Sequence, residues 1–400
     1  MTSLAGATQD EVRRSNLALV LTMLHRYGPR SRSQIVASTG LNRSTVGDLV
    51  SELVQLGLAR ESAGVGQGVG RPSLVVEPVA EAAVVVALEI RVERSIASLY
   101  GLGGALLARH ERRHRQPSFA TLVRQVAELT QRVLTRAPAE SAWVGTGVGV
   151  PGVVRTEDGL VRFAPNLGWV DVPLGRDLSE ALSNRSGWSP PLQVRNDADL
   201  GARAEHLRGA GRGAETLVFL TGDIGIGGGM LVDGRPLTGA GGYGGEFGHM
   251  RVNPRGDVCR CGSRGCWETE IGRLALMRNA GLDEDADVAI LVQQAEKGDR
   301  VAQASIERVA DWLGIGLANL VNIVNPQVVV LGGHLRHVYS HAAPRVDREV
   351  GRALTAAREQ VRVSVTDLGG DATLIGAGEL AFASLLEDPV GILAACERAS

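Results

Sequence analysis

Residues 221–268 read TGDIGIGGGMLVDGRPLTGAGGYGGEFGHMRVNPRGDVCRCGSRGCWE. The densest chemistry lies at the end of this run, where His249 is followed by Cys259, Cys261 and Cys266. Three thiolates and one imidazole complete a tetrahedral sphere, the closed, structural kind of zinc site with no open position. Gly262 and Gly265 permit the sharp turns that aim the sulfurs at one point. Cysteines clustered among Arg and Gly would make a poor core, so metal binding is expected over buried free thiols. The fourth cysteine, Cys396, stands far from this cluster and is assigned no role.

Outward from the cluster, polar side chains sit at loop positions beside Gly or Pro. Glu246 lies in GGEFGH and Glu268 just past the last cysteine; Asn166 lies in FAPNLGW, and Asn196 and Asp197 in VRNDADLG. A neutral polyhydroxyl ligand needs this mixture, because each hydroxyl uses one donor and one acceptor. An isolated loop carboxylate is ordinarily a helix cap or a solvated group, but here two acids are pinned by the metal loop itself. Trp169 and Tyr243 are open to two readings, pocket wall or packing.

The composition changes near residue 80. Before it, Leu17, Val20, Leu21 and Leu24 recur at helical spacing up to Tyr27-Gly28-Pro29. A second helix is expected over Ser33–Thr39 with Ser33 as its cap. After the Gly40 turn, Asn42 caps a third helix with a Val46, Leu49, Val50, Leu53 and Leu56 stripe. Two strands, Leu58–Ser62 and Ser73–Pro78, flank the loop GVGQGVGRP. Three helices with a tight turn before the last fit a helix-turn-helix. Beside the cap Asn42, the side chains of Arg43, Ser44, Thr45 and Asp48 lie off the apolar stripe. Asn42, Arg43, Ser44 and Thr45 are the residues expected to meet bases and phosphates when the helix end enters the major groove. Arg71, stiffened by Pro72, suits a narrow minor groove. The competing reading of such a domain is a protein-interaction module.

After residue 80, paired strands lead twice into α/β units, at Ala83 and again at Thr216, which suggests two similar lobes around a cleft. The length of 400 residues supports two or three domains. An apolar fraction of 44%, a charged fraction of 22% and a net charge of −2 describe an ordinary globular protein. With no signal peptide and no apolar run of membrane length, a cytoplasmic protein is expected.

The Thr221–Glu268 run, with its Gly-rich stretches and CRCGSRGCWE, resembles the signature of the ROK family of repressors and sugar kinases. The likeness extends over essentially the whole chain. It implies an α/β protein: an N-terminal winged helix-turn-helix over residues 1–80, then a two-lobed, actin-like (ribonuclease-H-like) sugar kinase fold over 81–400. Lobe one would span about 81–205 plus the C-terminal helix, and lobe two about 206–375. By motif position His249, Cys259, Cys261 and Cys266 match the zinc ligands. Asn166, Asn196, Asp197, Glu246 and Glu268 match the sugar contacts, His249 also reaching the sugar. Asp197 further matches the kinase general base. A homodimer or homotetramer is implied, with operator DNA and a monosaccharide or sugar phosphate as partners.

The departures bear on activity. Where ROK kinases carry a D-x-G-G-T phosphate loop, this chain has Glu89-Ile90-Arg91-Val92-Glu93, and Asp223-Ile224-Gly225 replaces Gly-Thr-Gly. Phosphoryl transfer depends on positioning and charge stabilisation, so these changes should disable it. The expected protein is therefore a sugar-responsive transcriptional repressor, not an enzyme. An active sugar kinase with an accessory DNA-binding domain is the first alternative; a regulator sensing a partner protein is the second.

Overall fold

The computed structural model describes residues 8–63, 74–115, 117–186, 190–284 and 286–399. The chain forms two units, Met1–Val150 with Thr156–Arg195 and Ala377–Ser400, and Pro151–Arg155 with Asn196–Gly376.

In the first unit the chain opens with helix α1 (Gln9–Tyr27), started by a reciprocal Thr8–Glu11 capping box and ended at Gly28. Its buried face, including Leu17, Val20, Leu21 and Leu24, packs on α2 (Arg32–Thr39) and α3 (Arg43–Gln55). The α2 cap is Ser31, not Ser33 as the sequence reading has it. Arg30 and Ser31 pair with Val76 and Val75, which fixes the chain direction early, and Gln34 returns the bond to the Ser31 amide at 2.9 Å. Asn42 caps α3 as expected, and Val46, Leu49, Val50 and Leu53 are buried. Strands Ala59–Ala63 and Leu74–Pro78 then pair antiparallel.

The remainder of this unit is built on a five-stranded sheet. Its spatial order is Leu192–Asn196, Ala142–Val150, Ala83–Ile90, Arg94–Gly101, Ala105–Arg113. Ala83–Ile90 pairs parallel to Ala142–Val150 and antiparallel to Arg94–Gly101. It is buried at every residue, as a central strand covered on both faces must be. Helix Phe119–Leu134 covers one face. On Ala142–Val150, Gly145 and Gly147 leave room for the Ala381 and Ala377 carbonyls of the helix Ala372–Ala381.

The second unit repeats the plan, with the order Arg362–Val365, Val328–Gly333, Leu217–Gly222, Ile226–Val232, Arg235–Pro236. Leu217–Gly222 is again parallel to its later neighbour and antiparallel to its hairpin mate. Strand alternation sorts the side chains. Val218, Leu220, Val329 and Leu331 face the core of the long helix Arg300–Val324, whereas Leu217, Phe219, Val328 and Val330 face helix Asp197–Arg208. Two mixed sheets of one order, each flanked by helices, make the actin-like, ribonuclease-H-like α/β fold that the sequence implies. Among the described residues no helix is long and apolar enough to cross a membrane.

Candidate functional site

Strand Ile226–Val232 organises the polar residues of the second unit, and its glycines explain how. A Cβ at Gly227 would stand 3.0 Å from the Ala198 Cβ, and one at Gly229 would stand 2.5 Å from the Ala198 carbonyl. Helix Asp197–Arg208 therefore lies against bare backbone on one face of the strand. On the other face, Phe247 fills the space where a Gly228 side chain would go. Any residue larger than glycine would push one of these neighbours away.

That close approach places the acids. Asn196 caps its helix, accepting from the Ala198 and Asp199 amides at 2.7 and 3.2 Å, and its Nδ2 donates to the Gly152 carbonyl at 2.9 Å. Asp197 follows, half-buried, its carboxylate accepting from the Ala198 amide at 2.9 Å. Glu268 Oε2 accepts from the Ile226 amide at 2.9 Å, so its carboxylate is tied to the start of the glycine strand. Glu246 lies with an oxygen 4.0 Å from His249 Nε2. Burial raises the Glu246 pKa, opposed by the nearby His249 and aided by the negative Glu268. Its side chain still keeps 44% of its surface open, so solvent limits that shift.

His249 faces two ways. Its Nδ1 stands 3.6 Å from Cys259 Sγ, while Nε2 points toward Glu246. Cys261 and Cys266 sulfurs are 3.7 Å apart, and the four ligand atoms of His249, Cys259, Cys261 and Cys266 all lie within 4.8 Å of one another. Zinc–sulfur bonds of about 2.3 Å at tetrahedral angles leave sulfurs roughly 3.8 Å apart, so the spacing fits that ion. Burial and the adjacent thiols push the Cys266 pKa up to about 12, and burial raises that of Cys259. The Ser263 amide lowers that of Cys261. Thiols crowded this way repel one another as thiolates, and a bound dication reverses that balance. Gly265, at φ 76°, presses so closely on Asn253 that no side chain fits.

Trp267, for which the sequence reading gives no role, anchors the knuckle. It is fully buried, donates from Nε1 to the Trp312 carbonyl at 2.8 Å, and lies against Gly316 of the long helix. An aromatic immediately after the last cysteine was the available signal. Tyr243 is 40% exposed. Trp169 is buried edge-on to Phe119, a packing role.

Asn166 belongs to the first unit, half-buried on the short turn Pro165–Leu167. In the same unit, the hairpin after Ala83–Ile90 turns tightly, the Arg91 amide donating to the Arg94 carbonyl at 2.8 Å. Arg91 Nε donates to Glu89 Oε1 at 2.8 Å, so the guanidinium is held by its own strand. Glu89 is 3% exposed, and burial raises its pKa against the pull of Arg91.

In the N-terminal helices the Asn42 side chain is occupied as a cap, accepting from the Thr45 amide at 2.8 Å and from Ser44 Oγ at 2.7 Å. Arg43 and Ser44 are exposed, and Thr45 is half-buried. Arg71 lies outside the described residues.

The sequence model of the ROK family matches residues 85–384. The xylose repressor of Caldicellulosiruptor bescii is 28% identical over 394 residues, covering 94% of this chain and 97% of the relative. The glucokinase of Thermotoga maritima is 33% identical over 288 residues, covering 68% of this chain and 86% of the relative. In structure, a ROK family transcriptional regulator described as a homologue of the E. coli Mlc protein superposes with a TM-score of 0.78. That match covers 97% of this chain and all of the regulator at 23% identity, a likeness of fold. A match spanning three quarters of the sequence, with the fold and the His–Cys cluster in place, makes this chain a member of the ROK family.

Proposed function

We propose that this chain is a sugar-responsive transcriptional repressor. The observation that carries the reading is the presence, ahead of a ROK domain, of a three-helix unit whose last helix exposes Arg43 and Ser44 at its N-terminus. Its likeness to xylose repressors over 94% of its length, against 68% for a glucokinase, agrees with that. Residues 1–80 act as a winged helix-turn-helix, with Asn42 as cap and Arg43, Ser44 and Thr45 toward the major groove. Arg71 in the Gly-rich loop reaches the minor groove. A dimer sets the spacing of two half-sites, and ligand binding alters that spacing.

The effector is a monosaccharide held by Asn166, Asn196, Asp197, Glu246, His249 and Glu268. Zinc on His249, Cys259, Cys261 and Cys266 is structural: when bound it neutralises the thiolates and fixes the loop. His249 would hold the ion with Nδ1, the nitrogen on the Cys259 side, which would leave Nε2 to orient Glu246 and the sugar. Phosphoryl transfer is absent in this reading. Arg91 is held by Glu89 instead of reaching a phosphate, and the hairpin offers no glycine cradle.

Thermal shift of the full-length, zinc-loaded protein against a panel including D-xylose and D-glucose, with and without MgATP, is the direct test. A ligand at a hundred times its Kd adds about 2.7 kcal/mol to stability. One sugar should raise the melting temperature, MgATP should add nothing, and the same sugar should alter binding to a duplex selected from random DNA. Sugar-dependent ATP consumption lost in Asp197→Asn would replace this reading with a kinase. Silence across the panel would remove the sugar from it.

A further inference from the structure

One helix of this chain belongs to both units. Ala372–Ala381 runs from the unit that holds Asp197 into the unit that holds the N-terminal helices, the boundary falling after Gly376. At ten residues and about 1.5 Å per residue it is a rod of roughly 15 Å.

Its first half is fixed to the candidate sugar site. Thr373 Oγ1 donates to the backbone carbonyl of Asp197 at 3.2 Å. Gly376 packs on the carbonyl of Leu200, one turn further along the Asp197 helix, so closely that no side chain would fit between them. The second half is fixed to α1. Glu379, 4% exposed, faces His25, which is fully buried in the last turn of α1, with Nε2 3.3 and 3.2 Å from the two carboxylate oxygens. The other ring nitrogen, Nδ1, accepts from the Gly103 amide at 3.1 Å, which places the ring proton on Nε2, donated to Glu379. The Phe382 ring lies 4.8 Å from the imidazole, fixing its orientation. Around this half, Gly145 and Gly147 leave no slack against the Ala381 and Ala377 carbonyls, and a Cβ at Gly378 would stand 3.1 Å from the Tyr100 ring.

A buried carboxylate–imidazole pair 354 residues apart in sequence demands a specific arrangement of both partners, because a small slip leaves a buried polar group unsatisfied. One continuous helix thus carries the contact to the Asp197 backbone in its first half and the contact to the end of α1 in its second.

We propose that the Ala372–Ala381 helix is the element that carries the state of the Asp197 site to the DNA-reading helices, with Glu379 as the positioning residue that holds His25. The proposal rests on the sugar-responsive reading above. Its test needs neither operator nor enzyme assay: amide hydrogen exchange of the full-length, zinc-loaded protein, alone and with saturating D-xylose or D-glucose. The sugar that raises the melting temperature should change exchange in Leu17–Tyr27 by at least about fivefold, the low end of ordinary coupling between sites. Glu379→Ala should retain the sugar-induced melting shift and lose the change in Leu17–Tyr27. Glu379→Gln, which still offers an oxygen to Nε2, should keep both. A sugar that stabilises the wild-type protein while leaving exchange in Leu17–Tyr27 unaltered overturns the coupling role alone, and that comparison requires no variant to fold. If neither sugar moves the melting temperature, the sugar-responsive reading fails and this proposal falls with it.

Discussion

The two five-stranded sheets share one strand order, yet their first hairpins are built in opposite ways. Ala83–Gly101 is filled: its central strand is buried throughout, and its turn closes on the Glu89–Arg91 pair. Leu217–Val232 is stripped: Gly222, Gly225, Gly227, Gly228 and Gly229 leave the backbone bare, and each meets a neighbour where its side chain would stand. The fold therefore does not dictate where a ligand site forms. The candidate site lies where side chains are removed, so that Asp197, Glu268 and the Phe247–His249 turn can approach one strand. The filled hairpin is self-sufficient, whereas the stripped one depends on an outside anchor, the His–Cys knuckle.

Breaking that anchor should give the largest effect. A structural zinc contributes on the order of 10 kcal/mol to the small domains that fold around it. Cys266→Ser should take metal content from one zinc per chain to none and lower the melting temperature by many degrees. Metal analysis beside calorimetry decides it, and a variant that retains stoichiometric zinc refutes the ligand assignment. Next, Gly229→Ala puts a methyl 2.5 Å from the Ala198 carbonyl, an overpacking cost of about 2–3 kcal/mol. The fourth residue of the matching strand in the first unit, Ala97, already carries its Cβ without difficulty. Denaturant unfolding that found Gly229→Ala neutral would remove the argument from close approach.

The filled hairpin makes a prediction of the other sign. Burial raises the Glu89 pKa, so the folded state holds its proton to higher pH than the unfolded chain does. Stability from this group is then full below the ordinary carboxylate value and falls as pH rises through the raised one. Glu89→Gln mimics the protonated form and should melt a few degrees higher than wild type at neutral pH. The difference should vanish in acid; a variant less stable at neutral pH would mean the Arg91 pair outweighs burial.

Legibility in the sequence follows the range of the interaction. The second and third helices and the strand pair of the first eighty residues are written in local spacing, and the structure returns their ends within a residue or two. The ligand atoms of His249, Cys259, Cys261 and Cys266 come together as their spacing implies. The Ser33 cap fails for a local reason as well: Ser31 with Gln34 three residues later is the reciprocal pattern that marks a helix start. Of this glycine-rich stretch the sequence reading weighs only Asp223-Ile224-Gly225, as a departure from a phosphate loop; the use of Gly227, Gly228 and Gly229 is to admit a helix on one face and an aromatic on the other. That use depends on Ala198 and Phe247, which no periodicity connects to them. The pairing of His25 with Glu379 is illegible altogether, since nothing in a helix's last turn names a partner at the far end of the chain.

The smallest effect concerns what the filled sheet tolerates. Thr146 is fully buried on Ala142–Val150, and its Oγ1 has no hydrogen-bond partner among the described residues; Ser98 Oγ on the neighbouring hairpin is in the same condition. A buried hydroxyl without a partner has given up its water and received nothing in return. Thr146→Val keeps the β-branched shape that the strand prefers and removes the uncompensated oxygen, while the Thr146 amide keeps its bond to the Pro191 carbonyl at 2.9 Å. It should add about 1 kcal/mol, or roughly 2–4 °C in a domain of this size. Ser98→Ala should be neutral or add less, because the lost hydroxyl leaves a small void beside the gain. The same logic applied to the stripped strand gives the opposite expectation: every added atom there meets a neighbour already in contact. If Thr146→Val destabilised the protein by more than the error of the melt, an ordered water would have to bridge that hydroxyl, and the first sheet would be wetter than its packing implies.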